Sequence, residues 1–269
     1  MSAEARPATV PDLVAMKAAG RRIVVLTCYD AAFARLLDGP DVDVLLVGDS
    51  LNQVLAGHET TLSATLDQMI YHAAAVRRGA PRALVFVDLP FLTYQVSVPE
   101  AIRNAGRVLQ ESGANGVKLE GGRPMAATVQ ALVERGIPVM GHLGLTPQSV
   151  NVFGGYRVQG RENHGAEVLA DARAVADAGA FAVVLEMVPG EVAKTVTKEL
   201  SIPTIGIGAG PDTDAQVLVW QDMAGLRAGK APRFVKKYAD LAGILGDATR
   251  RFAEEVRLGE FPAAEHTFE

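Results

Sequence analysis

Seven short runs of aliphatic and β-branched residues recur along the chain: "RIVVLTCYD" (22–30), "DVLLVGDS" (43–50), "ALVFVDLPF" (83–91), "GVKLEGG" (116–122), "IPVMGHLGL" (137–145), "FAVVLEMVP" (181–189) and "IPTIGIGAG" (202–210). They read as continuous apolar runs rather than alternating ones, which marks strands of a parallel sheet covered on both faces. Between them lie Ala-rich stretches with helical periodicity, among them "LDQMIYHAAAVRRG", "VPEAIRNAGRVLQESG", "MAATVQALVERG" and "GAEVLADARAVADAGA". Several of these run into a glycine that reads as a C-cap, namely Gly79, Gly113, Gly136 and Gly179. The stretch "PRFVKKYADLAGILGDATRRFAEEV" supplies an eighth strand near Phe234 and Val235 and a last helix. Eight β/α units in a chain of 269 residues predict an α/β fold, a (β/α)8 TIM barrel, in preference to an open doubly wound sheet. No linker composition divides the chain, so a single domain is expected over 1–269, with 1–20 as an N-terminal extension and helix and 259–269 as a C-terminal tail. One segment breaks the regularity: "TPQSVNVFGGYRVQGRENHG" (146–165) predicts a long loop after the fifth strand, placed either over an active site or in an oligomer contact.

Polar residues interrupt the apolar runs at one end. Asp49 and Ser50 close the second run, Asp88 the third, Lys118 and Glu120 the fourth, His142 the fifth and Glu186 the sixth. Residues two apart on a strand share a face, so Lys118 and Glu120 project together. A single carboxylate at a strand end has the ordinary explanation that it caps the next helix. Five consecutive strands with the same feature point elsewhere, because in a parallel barrel these ends converge on the mouth where active sites sit. Asp49, Asp88 and Glu120 aimed at one volume would repel unless protonated or bound to a cation. An oxygen-only set favours a hard ion, and Mg²⁺ accepts one to three carboxylates while keeping positions for water and substrate. Glu186 follows "FAVVL" and is expected to be partly desolvated, which suits it to proton exchange near neutral pH, the alternative being a buried carboxyl paired with a basic residue. Lys118 is expected either to neutralise the carboxylates or to hold a substrate carboxylate.

Composition narrows the function classes. The chain is 49% hydrophobic and 21% charged with a formal net charge of −5, and its pI is near 5.6. That balance argues against a nucleic-acid or anionic-membrane partner, both of which require clustered Lys and Arg. Cys28 is the only cysteine, which leaves no intrachain disulfide, and within "IVVLTCYD" it reads as a small buried residue rather than a nucleophile. The first residues lack an apolar h-region and no run approaches the roughly 18 apolar residues of a membrane span. A cytoplasmic protein is the resulting expectation. "GIGAG" (206–210) admits a phosphate-binding reading, but without a P-loop lysine its glycines read first as turn residues. Tyr29 and Tyr156 are candidate platforms for a flat ligand, with core packing as the alternative.

The motifs "LLVGDS" (45–50), "GH" with "TTL" (57–62), "YHAAAVRRGAP" (71–81), "DLPF" (88–91), "VKLEGG" (117–122), "GHLGLTPQS" (141–149), "FGGYRVQGR" (153–161), "LE" with "VP" (185–189), "IGIGAG" (205–210) and "PRFVKKY" (232–238) occur in order over nearly the whole chain. Together they resemble the ketopantoate hydroxymethyltransferase family. The resemblance implies a (β/α)8 barrel in a homodecamer that moves a one-carbon unit from 5,10-methylenetetrahydrofolate to 3-methyl-2-oxobutanoate. The product would be 2-dehydropantoate, on the route to pantothenate and coenzyme A, formed through a Mg²⁺-stabilised enolate. It implies Asp49, Asp88 and Glu120 as metal ligands, Asp49, Ser50, Asp88, Lys118 and His142 as contacts of the oxo acid, and Glu186 as proton acceptor. Asn52, Gln53 and Glu59 depart from the residues commoner in the family and bear only on the shape of the folate side. Two rivals remain: a Mg²⁺-dependent oxo-acid lyase or mutase of the phosphoenolpyruvate mutase and isocitrate lyase type, and a non-catalytic oxo-acid-binding barrel, which would have no need of Glu186.

Overall fold

A computed structural model of the chain describes residues 7–227, 229 and 231–268. Its contacts divide the chain into two compact units, Met1–Val219 and Trp220–Glu269. The first contains a closed barrel of eight parallel strands in sequence order: β1 Ile23–Thr27, β2 Val44–Val47, β3 Leu84–Asp88, β4 Gly116–Glu120, β5 Val139–Gly144, β6 Ala182–Glu186, β7 Thr204–Ile207 and β8 Ala215–Leu218. β1 pairs with β2 and β8, which closes the ring.

The seven apolar runs became β1 to β7. The eighth strand differs: it is "AQVL" at Ala215–Leu218, paired with β7 through Ile205 opposite Ala215. Phe234 lies instead in a turn, in which the Val235 amide donates to the Pro232 carbonyl at 3.0 Å. Pro232, which has no backbone N–H, also removes a ladder donor from this stretch. β8 escaped the apolar criterion because Gln216 interrupts it on an exposed face.

Which residues fill the barrel follows from the period of two. Ile23 and Val25, Val44 and Leu46, Leu84 and Phe86, Met140, Ala182 and Val184, Ile205, Ala215 and Val217 form one buried cluster. The helix Val10–Ala18 adds Leu13 and Met16 to it. The alternate residues of β5 and β6, Leu143, Val183 and Leu185, pack outward on Val168 and Ala172 of the helix Gly165–Asp177 and on Ala193 and Val196 of the helix Gly190–Glu199. Continuing the inward phase by two residues reaches Asp88 beyond Phe86, His142 beyond Met140 and Glu186 beyond Val184. The apolar filling is thus succeeded, on the same face, by ionisable groups.

The helix Val98–Ser112 ends on left-handed Gly113, φ 73°, as a C-cap glycine should. Gly79 does not cap. It is the last residue of the helix Leu66–Gly79, whose C-cap is Ala80, and a Cβ there would stand 2.4 Å from the Ala31 carbonyl oxygen, so close packing explains it. The second unit carries the helix Leu241–Leu258, which buries none of its residues and exposes Ile244, Leu245, Phe252, Val256 and Leu258. No helix among the described residues is long and apolar enough to cross a membrane.

Candidate active site

Strand register sets the first contacts. Asp88 lies opposite Lys118, and Glu120 opposite His142. The Lys118 ammonium sits 2.7 Å from Asp88 Oδ1 with both side chains almost wholly buried. His142 Nδ1 lies 3.5 Å from Glu120 Oε1 and its Nε2 lies 3.2 Å from Glu186 Oε2. Neither contact has hydrogen-bond direction, so both are charge contacts. Asp49 enters by another route. The inward phase of β2 ends at Gly48, and only the turn after Val47 brings Asp49 in, where its backbone N–H donates to Asp88 Oδ2 at 3.1 Å. Ser50 shares a 2.9 Å hydrogen bond with the hydroxyl of Tyr29, which is fully buried. Tyr29 therefore packs and tethers, as the alternative to a ligand platform had it, whereas Tyr156 is half exposed and accepts from Gln53 Nε2 at 3.0 Å.

All seven residues singled out in the sequence thus lie at the C-terminal ends of β2 to β6. Two more belong with them. Gln148 and Tyr94 are buried in the same place and bind Asp49 and Glu120 directly. Gln148 stands in a 3₁₀ turn, Pro147–Ser149, at the start of the long segment, so the segment does enter the site. It is not structureless, since a helical turn Val150–Phe153 and a second 3₁₀ turn, Glu162–His164, follow. Phe153, Val158, Gln159 and Arg161 of this segment line a cleft of about 400 Å³ with Gly121 and Gly144.

The electrostatics are those of crowded carboxylates. Burial raises the Asp49 pKa well above the usual carboxylate range, and the charges of Asp88 and Glu120 raise it further against the opposing effects of Lys118 and Gln148. Burial pushes Lys118 down, but Asp88, Glu120 and Asp49 push it up by more, so it stays an ammonium. His142 behaves alike: burial and Lys118 lower it, yet the Glu120 and Glu186 carboxylates hold it at about 9.

Four carboxylates therefore face one ammonium and one imidazole. Even with both bases charged, the pocket carries excess negative charge in a desolvated space, and that excess is what a divalent cation relieves. Glu120 Oε1 is buried without a hydrogen-bond donor, and Asp88 Oδ1 faces only the Lys118 ammonium. The donor chemistry thus fits a hard cation. Among the described residues no three His, Cys, Asp or Glu side chains are drawn up as a ready ligand set; the Lys118 ammonium instead occupies Asp88 Oδ1.

Glu186 is positioned by backbone strain next to it. Met187 has φ 46°, a left-handed conformation costly for a non-glycine residue. It is held there by its own N–H donating to Ile207 O at 2.9 Å and by Gln159 N–H donating to its carbonyl at 3.0 Å. Across the β5–β6 pair, Gly144 has φ 85° and lies opposite Glu186. A Cβ on Gly144 would stand 2.3 Å from the Glu186 carbonyl oxygen. Gly144→Ala is expected to destabilise the fold by about 1–3 kcal/mol, the cost of a strained left-handed residue, and to lower turnover by displacing Glu186. Urea denaturation alongside initial rates checks both.

Cys28 is fully buried, and burial raises its thiol to about 11. Native protein at pH 8 is expected to react with iodoacetamide far more slowly than protein in urea, followed by mass spectrometry. The glycines of "GIGAG" serve tight packing: a Cβ on Gly206 would meet Thr213 Oγ1 at 2.6 Å, and one on Gly210 would meet Gly190 at 3.1 Å.

Comparison with known proteins agrees with this geometry. The profile of a family described as ketopantoate hydroxymethyltransferase matches residues 7–264. A 3-methyl-2-oxobutanoate hydroxymethyltransferase of Pelobacter propionicus is 54% identical over 268 residues, covering 100% of both chains. Proteins of the same name from Frankia alni and Thermobifida fusca are each 56% identical, over 97% and 98% of this chain and 86% and 94% of theirs. Among solved structures, a phosphonopyruvate hydrolase complexed with oxalate and Mg²⁺ has a TM-score of 0.62 at 11% identity, covering 96% of this chain and 92% of that one. A 2,3-dimethylmalate lyase of the PEP mutase/isocitrate lyase superfamily has a TM-score of 0.59 at 17% identity, covering 96% and 91%. At such identities the structural likeness concerns the barrel alone.

Proposed function

The chain belongs to the ketopantoate hydroxymethyltransferase family, and on that premise we propose that it transfers a hydroxymethyl group from 5,10-methylenetetrahydrofolate to 3-methyl-2-oxobutanoate, giving 2-dehydropantoate for pantothenate and coenzyme A synthesis. The observation that carries this reading is the convergence of Glu186, Lys118 and the Asp49–Asp88–Glu120 carboxylates at one end of a closed barrel. Asp49, Asp88 and Glu120 would hold Mg²⁺. Bound there, Mg²⁺ supplies Lewis acidity toward the keto oxygen as negative charge develops on it.

The remaining steps belong to side chains. Lys118, kept cationic by its neighbours, meets the substrate carboxylate as a point charge, and Ser50, tethered by Tyr29, donates to the oxo acid. Glu186 takes the single proton on C3. One water hydrolyses the donor's methylene group, both its C–N bonds breaking to leave tetrahydrofolate and a formaldehyde equivalent. The electron pair left on C3 bonds to that carbon, and its oxygen takes the proton held by Glu186 to become the new hydroxyl. His142, within 3.2 Å of Glu186 Oε2, steadies that carboxylate before the proton arrives and can hydrogen-bond the new hydroxyl. We further propose that the protein is cytoplasmic and assembles as a homo-oligomer, a decamer by family resemblance. The exposed apolar stripe of the helix Leu241–Leu258 supports the assembly.

The rival lyase or mutase reading shares the barrel but not the need for a one-carbon donor. Incubation of the protein and Mg²⁺ with 3-methyl-2-oxobutanoate is expected to give 2-dehydropantoate by NMR only when 5,10-methylenetetrahydrofolate is added. Carbon–carbon cleavage of an oxo acid without the donor would favour the rival.

A further inference from the structure

We infer that Gln148 is the positioning residue of the carboxylate cluster, holding Asp49 and Glu120 in place for a cation, and that the Tyr94 hydroxyl locks its amide in the one orientation that does so. The inference rests on the reading of the cluster as a cation site.

Gln148 touches both carboxylates, and by different groups. Its backbone N–H donates to Glu120 Oε2 at 3.0 Å, and its side-chain Nε2 donates to Asp49 Oδ2 at 2.9 Å. One residue thereby fixes an oxygen on each of two acids that come from different strands. Each acid retains a second carboxylate oxygen, and that of Glu120, Oε1, is buried without a donor.

The amide has only one orientation that satisfies its neighbours. Nε2 also donates to the Leu89 carbonyl at 3.0 Å, and a carbonyl can only accept. From the other side, Oε1 accepts from the Tyr94 hydroxyl at 2.7 Å and from Gln95 Nε2 at 3.0 Å. The Tyr94 hydroxyl in turn accepts the Glu120 backbone N–H at 3.0 Å, and of the two acceptors within reach of its own hydrogen, Gln148 Oε1 at 2.7 Å and the Glu120 carbonyl at 3.3 Å, the amide oxygen is the nearer. All donors and acceptors of the amide are used, and both residues are buried. Flipping the amide would set its oxygen against Asp49 Oδ2 and against the Leu89 carbonyl, which has no hydrogen to offer. Tyr94 thus reaches Glu120 twice, through its backbone and through Gln148.

Partners of this kind, which orient metal ligands without touching the metal, commonly account for about 10–100-fold in metal affinity. The test uses full-length protein with Mn²⁺ as the probe, its binding followed by electron paramagnetic resonance with 3-methyl-2-oxobutanoate present and no one-carbon donor. Gln148→Met, which keeps the volume and removes the amide, is expected to weaken Mn²⁺ binding about 10–100-fold. Tyr94→Phe, which removes one oxygen, is expected to weaken it in the same direction by less, and covers the case in which Gln148→Met does not fold. Melting temperature is recorded for each. Variants that melt lower yet bind Mn²⁺ as wild type does would overturn the inference and leave only a packing role. Asp49→Asn separates the two levels: if it loses Mn²⁺ while Gln148→Met and Tyr94→Phe do not, the positioning role is wrong and the cation site stands. If Asp49→Asn also binds as wild type, the cation site falls and the inference with it.

Discussion

Glu186→Gln is expected to lower kcat for 2-dehydropantoate formation by about 10²–10⁴-fold, the usual worth of a positioned general base, with KM for the oxo acid nearly unchanged. The amide keeps the length and hydrogen-bonding reach of the carboxylate, so the register of β6 against Gly144 and the contact with His142 lose little. What it cannot do is accept the C3 proton. Loss confined to kcat marks an interaction needed in the transition state, whereas a rise in KM alone would mark simple binding. Initial rates at saturating donor with varied oxo acid separate the two. A variant with wild-type kcat would remove Glu186 from the reaction and would favour the non-catalytic role of a carboxyl paired with His142.

Lys118→Met is expected to destabilise the protein by about 3–5 kcal/mol, the cost of removing one partner from a buried ion pair. The side chains of Lys118 and Asp88 are 4% and 5% exposed at 2.7 Å, so solvent cannot replace the lost ammonium. The variant leaves Asp49, Asp88 and Glu120 facing one another, and Asp49 is already held above its ordinary range by burial and the other two acids. A group whose folded-state pKa is raised contributes stability below its unfolded pKa and loses it as pH rises through the folded value. Removing Lys118 raises Asp49 further, so the deficit relative to wild type should be larger at neutral pH and smaller in acid. Urea denaturation at two pH values checks magnitude and sign together. An undiminished stability at neutral pH would mean that the pair contributes nothing and that the carboxylates are relieved in some other way.

Much of the site was legible because ionisable residues interrupted apolar runs at one end only. Lys118 and Glu120 share the inward phase of β4, and Asp88, His142 and Glu186 each continue the inward phase of a strand whose earlier residues fill the barrel. Asp49 obeys no such phase. Its place depends on a turn after Val47 that the apolar pattern does not encode, although as the polar close of the second run it drew notice with Asp88 and Glu120. Gln148 and Tyr94 went unread for a related reason: they lie outside the strands, in "TPQS" and "FLTYQ", are neutral, and matter through hydrogen bonds that need the folded chain. β8 was missed because a four-residue strand with a polar outward residue gives neither a continuous apolar run nor a long alternation. Gly79 and Gly113 look alike in sequence, each closing a helical stretch. One is demanded by a neighbouring backbone and the other by a left-handed φ.

On the proposed mechanism these strand ends form one site able to generate the enolate of an oxo acid, with a cation and Glu186 acting together. Solvent exchange of the C3 proton of 3-methyl-2-oxobutanoate in D₂O, followed by NMR with no one-carbon donor present, tests it most directly. The expected result is exchange by wild-type protein with Mg²⁺ that stops on adding a chelator and is lost in Glu186→Gln. Exchange that proceeds equally without Mg²⁺ or without the Glu186 carboxylate, or that never occurs in a protein that still forms 2-dehydropantoate, would contradict it.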